Sequence, residues 1–213
     1  MNDSRDRIVR IRALLDRART LWRASEARGE SEPRFFGARK HRYELSPPVS
    51  AETLARWEAD FQVELPEAYR VFLTRLGEQG AGPFYGLDSP WALSRRSPEA
   101  RAGYGAWMRA PCTLVEDLAQ GGPDDTRWLE RLGGPDWEER FDRDAWSPSQ
   151  GTLSLVQVGC GEELVLVLNG PLRGRVFQLC EVSQVPLLHE APDFLAWYED
   201  WLEGVVAPPR GLA

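Results

Sequence analysis

Cys160 stands between Gly159 and Gly161, and small neighbours leave a thiol room to meet a substrate. A cysteine nucleophile needs a base within reach and a group to orient that base, and His41 and His189 are the only imidazoles in the chain. His41 lies among Arg39, Lys40 and Arg42, where a solvated ring is expected. His189 could approach Cys160 only through the tertiary fold. The adjacent carboxylates Glu138-Glu139 and Glu162-Glu163 could do acid/base work if one of each pair sat in an apolar setting that raised its pKa; a solvated face explains them more simply. Gly80-x-Gly82 followed by Gly86 suggests a phosphate loop, yet the third glycine falls one position late and the loop follows a helical segment where the dinucleotide fingerprint requires a strand. The sole lysine, Lys40, belongs to no P-loop pattern, and three scattered cysteines with two histidines offer no zinc spacing. The chemistry-bearing residues therefore predict no catalytic set, no cofactor and no metal.

The elements that would position these residues are easier to read. Leu54, Trp57 and Phe61 recur at helical spacing behind Ser50, a candidate cap, and Tyr69, Phe72, Leu73 and Leu76 form a second stripe after Leu65-Pro66. Gly77 ends that helix, and Gly82 and Gly86 are expected to serve the backbone of the following loop. Leu153, Leu155, Val156 and Val158 read as a strand, Leu164 to Leu168 as a buried one, and Asn169-Gly170 as a turn before the returning strand Arg175 to Leu179. Pro186 and Pro192 bound a linker, after which Phe194, Leu195, Trp197, Tyr198, Trp201 and Leu202 make a closing amphipathic helix.

Leu65-Pro66-x-x-Tyr69-x-x-Phe72-Leu73 before a glycine turn, Gly159-Cys160-Gly161 with Leu164-Val165-Leu166-Val167-Leu168, and Phe194-Leu195-x-Trp197-Tyr198-x-x-Trp201-Leu202 together resemble the SMI1/KNR4 family of the SUKH superfamily across roughly residues 50–204. The resemblance implies a non-enzymatic binding scaffold whose bacterial members are often immunity proteins that neutralise a toxin.

Ahead of it, Ile8, Ile11, Leu15, Ala18 and Trp22 define an additional basic amphipathic helix, expected to pack on the rest of the chain. The fold class read here is α+β, a mainly antiparallel sheet flanked by helices. Residues 1–48 form the basic helix and connector, 49–206 the SMI1/KNR4-like domain, and 207–213 a tail.

Charge is divided unevenly: residues 1–50 carry a net +5 and the remainder −12. An acidic body disfavours nucleic acid as the main partner and suits a basic protein, such as a nuclease-type toxin domain. No apolar run is long enough to span a membrane, and Met1 to Arg12 lacks the features of a secretory signal, so a cytoplasmic protein with reduced, mostly buried cysteines is expected. The segment Glu116 to Trp146 joins acids to Trp128, Trp137 and Trp146 and is hard to bury as read. Trp137, Glu138, Glu139, Asp142, Asp144 and Trp146 are thus the candidate partner-binding residues, with Phe84 and Tyr85 of the glycine loop as a second candidate surface. Two other readings are a regulatory or assembly module that docks through the basic helix, and a hydrolase using Cys160 or a carboxylate pair.

Overall fold

The computed structural model describes residues 2–29, 36–116, 118, 127–180 and 184–207. The 207–213 tail beyond Ala207, part of the connector and Gly121 and Gly122 lie outside the described residues. The chain is α+β: helices surround one four-stranded antiparallel sheet in the order β1-β2-β3-β4.

Those strands are β1 (Thr152–Gly159), β2 (Glu162–Val167), β3 (Val176–Cys180) and β4 (Gln184–Leu188). The β1–β2 hairpin closes through Cys160-Gly161, at φ of 54° and 82°, and Gly159 faces Glu162 across it. Positive φ at both central residues matches the right-handed twist of paired strands. Asn169-Gly170 begins a longer connection instead of a tight hairpin. Its amide accepts from the Cys112 N–H and donates to the carbonyls of Met108 and Ala110, so the side chain ties distant segments together. The linker expected around Pro186 is in fact the edge strand β4. Proline is tolerated at an edge because no strand beyond needs its missing N–H.

The alternation in β2 explains its apolar run. Leu164 and Leu166 enter the main core, while Val165 and Val167 enter a second core on the opposite face, so both sides of the strand are covered. The main core lies under four helices: α1 (Asn2–Ala27), α3 (Ala51–Phe61), α4 (Glu67–Arg75) and α9 (Phe194–Val206). Short helix α2 (Ala38–His41) precedes α3. Ser50 caps α3 by accepting from the Thr53 N–H, and Pro66 is the cap residue of α4, one position before its first turn.

Ile8, Ile11, Leu15, Ala18 and Trp22 of α1 belong to this same core, and α1 lies against α9. The basic helix is therefore built into the body. In the α4–α9 contact, Phe72 is fully buried with its ring centroid 5.0 Å from Phe194 and 4.8 Å from Tyr198, both edge-on.

The middle of the chain, weakly patterned as sequence, contains α5 (Trp91–Ser94), α6 (Pro98–Arg109), α7 (Trp128–Gly133) and α8 (Trp137–Asp142). Leu114 and Leu118 cover the second face of the sheet, and Trp128, Leu129 and Trp146 form a small core that Val185 of β4 joins. The expectation that this acidic segment resists burial is corrected: among the described residues, its apolar side chains close the sheet while its acids are exposed.

Truncating Phe72 to alanine removes the ring on which Phe194 and Tyr198 rest. Phe72→Ala should cost about 3 to 5 kcal/mol and lower Tm by roughly 10 °C for a chain of this size, measured by thermal unfolding followed by circular dichroism.

Candidate functional site

The acidic surface is presented by α8 and the turn after it. Glu138, Glu139, Asp142 and Asp144 are exposed. Two of the arginines here are turned back on the acids: Arg143 meets Glu139 at 2.7 Å, and Arg140 approaches Asp136 at 3.8 Å. Glu138, Asp142 and Asp144 make no ion pair within the described residues, and they carry the outward negative field of α8. Trp137 is half-buried with its ring edge-on to Trp146, 6.5 Å between centroids.

Trp146 is only 3 % exposed. A Cβ on Gly133 would come within 2.9 Å of its ring, so the glycine leaves room for the indole against α7. Trp146 is a structural anchor and not a surface one, which corrects its expected role. The acids and Trp137 thus stand on a fixed base.

The glycine loop is shaped by close approach. Gly86 has a φ of 93°, and a Cβ there would meet the Gly80 carbonyl at 2.2 Å. Gly82 has no such dihedral, but a Cβ would lie 2.7 Å from the Leu87 backbone nitrogen. Both glycines thus serve the backbone, as expected, with Gly82 packed against the loop's own return at Leu87. Gly80 bridges Leu45 on one side and Leu87 on the other. Phe84 packs on the main core, while Tyr85 is 40 % exposed and lies between Phe36, edge-on at 5.2 Å, and the Lys40 ammonium, 5.7 Å above its ring.

His41 is buried at 9 % exposure, which corrects its expected solvation. Its Nδ1 accepts from the Tyr43 N–H, and its ring lies edge-on to Tyr43 and Trp201. Burial pushes its pKa down to about 4 against the opposing pull of a hydrogen bond to the Gly82 backbone. The imidazole is a neutral brace under the loop. His189, against Trp197, is likewise pushed down by burial.

None of the three cysteines is in a disulfide, and none is fully buried, contrary to expectation. Cys160 is exposed at the hairpin tip, and burial raises the pKa of Cys112. Glu162 accepts from Gln178 and Glu163 from Gln157, so the Glu162-Glu163 carboxylates serve cross-strand contacts.

Sequence reasoning missed a cleft of about 630 Å³ between the α5–α6 corner and the β1 end of the sheet. Met108 and Leu153 give it an apolar floor, Tyr104 and Trp107 an aromatic wall, and Arg95, Arg96, Asp88 and Glu163 its charges. Asp88 is exposed at the rim, where partial desolvation raises its pKa, an effect that Lys40 partly offsets. A more open cavity of about 460 Å³ beside the glycine loop shares Gln79 and Asp88 with the cleft. The available signal was Ser97-Pro98-Glu99, a cap followed by proline at the first helical position, which marks the start of α6.

The chain matches no protein-family model, no curated protein and no solved structure. Among the described residues, no helix is long and apolar enough to cross a membrane, and no group of three or more His, Cys, Asp or Glu residues could hold a metal ion.

The buried imidazole makes stability depend on pH in a defined direction. Below pH 6.5 the unfolded chain binds a proton that folded His41 refuses until about pH 4. Its contribution is therefore constant above pH 6.5 and falls by up to about 3 kcal/mol as pH drops through that window. Urea unfolding across this range should show a shallower decline for His41→Asn than for the parent.

Proposed function

We propose that this chain is a non-enzymatic protein-binding domain of the SMI1/KNR4 type, acting as an immunity protein that occludes a basic, nuclease-type toxin. The observation that supports this most is the exposed acidic face of α8, held on the Trp128–Leu129–Trp146 core. A surface whose acids are fixed before encounter attracts a basic partner without a large ordering cost. Trp137, half in the small core and half at the surface, supplies apolar area at the edge of the charged patch.

The commitment of both imidazoles to aromatic packing supports a binding role over a hydrolase built on Cys160. Burial of the α1 stripe supports a helix that belongs to the scaffold over one that docks a regulatory assembly.

The partner to test is the polypeptide encoded beside this chain, by co-purification and by rescue of growth on co-expression. For the pair so defined, replacing Glu138, Glu139, Asp142 and Asp144 with Gln and Asn should slow association roughly tenfold at low ionic strength, with Tm unchanged, and the difference should shrink as salt is added. Stopped-flow or surface plasmon resonance measures this directly. Equal association rates for variant and parent at low salt would move the binding surface elsewhere.

A further inference from the structure

We propose that the cleft between the α5–α6 corner and β1 is a second binding site, separate from the acidic face of α8, and that it takes a small organic anion with a planar apolar body. Three observations lead to this ligand class. The first is shape: about 630 Å³ is within the range of sites that enclose a small molecule, roughly 300 to 1,000 Å³.

The second is a pre-formed wall. The Trp107 indole is pinned by its Nε1–H, which donates to the Ser149 carbonyl at 3.0 Å, and the same carbonyl accepts from the Thr152 hydroxyl at 2.7 Å. Met108 and Leu153 below are 2 % and 4 % exposed, while Tyr104 at the mouth is 41 % exposed, a flat ring with nothing stacked on it among the described residues. Such a wall favours a flat apolar body.

The third is charge. Arg95 and Arg96 line the cleft, both exposed, and their guanidinium groups have no hydrogen-bond or ion-pair partner among the described residues. In a chain of net charge −7, whose other arginines so often meet a carboxylate or carbonyl, two adjacent cations left over at a cavity mouth are an anion subsite in waiting. The start of α6 does not supply that subsite, since Ser97 already accepts from the Ala100 N–H and Glu99 folds back on the same turn. Asp88 and Glu163 on the same cleft would repel a polyanion, which restricts the ligand to a small molecule with one anionic head.

The probes are 1-anilinonaphthalene-8-sulfonate, which has a flat apolar body and one sulfonate, and N-phenyl-1-naphthylamine, the same body without charge. Fluorescence titration of the full chain should give one saturable sulfonate site that weakens with added salt. Arg95→Gln/Arg96→Gln should weaken the sulfonate probe roughly tenfold and leave both the neutral probe and Tm unchanged. Ser154→Trp, which puts an indole into the cleft from an exposed position on β1, should displace both probes. None of these variants should alter association with a protein partner at α8, so this site and the proposed function can fail independently. The proposal is overturned if the parent shows no saturable sulfonate binding, if the double variant binds the sulfonate as the parent does, or if both probes still bind the Ser154→Trp protein.

Discussion

Glu199 on α9 is buried, its side chain 7 % exposed, and two arginines from the far end of the chain meet its carboxylate: Arg10 Nε donates to Oε1 at 2.6 Å, and Arg7 approaches Oε2 at 3.0 Å. A carboxylate taken out of water costs several kcal/mol unless it is paired with good geometry. α9 can therefore occupy its place only when α1 occupies its own. The pairing also fixes the register of two helices whose apolar stripes alone would tolerate sliding. Two further cations of α1 continue the pattern, with Arg12 donating to the Arg75 carbonyl and Arg19 to that of Tyr43. Positive charge at the start of the chain and negative charge in the body are in part complementary halves of one internal contact.

From α9 the dependence spreads outward. Phe194 and Tyr198 rest on Tyr69 and Phe72 of α4, and the buried Tyr198 hydroxyl donates to the Ala81 carbonyl at 2.9 Å. The glycine loop is thereby held from beneath by a tyrosine of α9 and by the His41 brace. Its glycines are required because three backbone stretches, at Glu44, Gly80 and Leu87, approach more closely than any Cβ would permit. The loop is a structural joint that also forms one wall of the open cavity beside Lys40 and Tyr85.

On the other side, the sheet is covered by a segment that carries charge and structure on different faces. Leu114, Leu118, Trp128 and Trp146 point inward and close the second face, while the acids of α8 point outward. A partner meeting those acids meets a layer of the fold. The cleft beside α6 is also built on the scaffold: its floor belongs to the main core and its wall is tied to Ser149.

The sequence by itself determined the helices α1, α3, α4 and α9, since each has an apolar stripe that only a helix can bring to one side. It also determined the strands β1 to β3 and the need for glycine at 82 and 86, where the turn chemistry is local. Edge strand β4 was hidden by Pro186, whose meaning depends on whether another strand lies beyond it. The burial of Trp146 and His41 was hidden too, because their charged sequence neighbours point one way while the rings point the other, into partners supplied by Trp137 and by Trp201. The cleft was not legible either, since Ser97-Pro98-Glu99 marks only the start of α6: Arg95, Tyr104 and Trp107 come within reach of Leu153 and Ser154 only when α6 is laid beside the sheet. Period and turn chemistry are properties of neighbours in the chain, whereas burial, pairing and cavities are properties of surfaces that meet, and only the tertiary structure decided which surfaces those were.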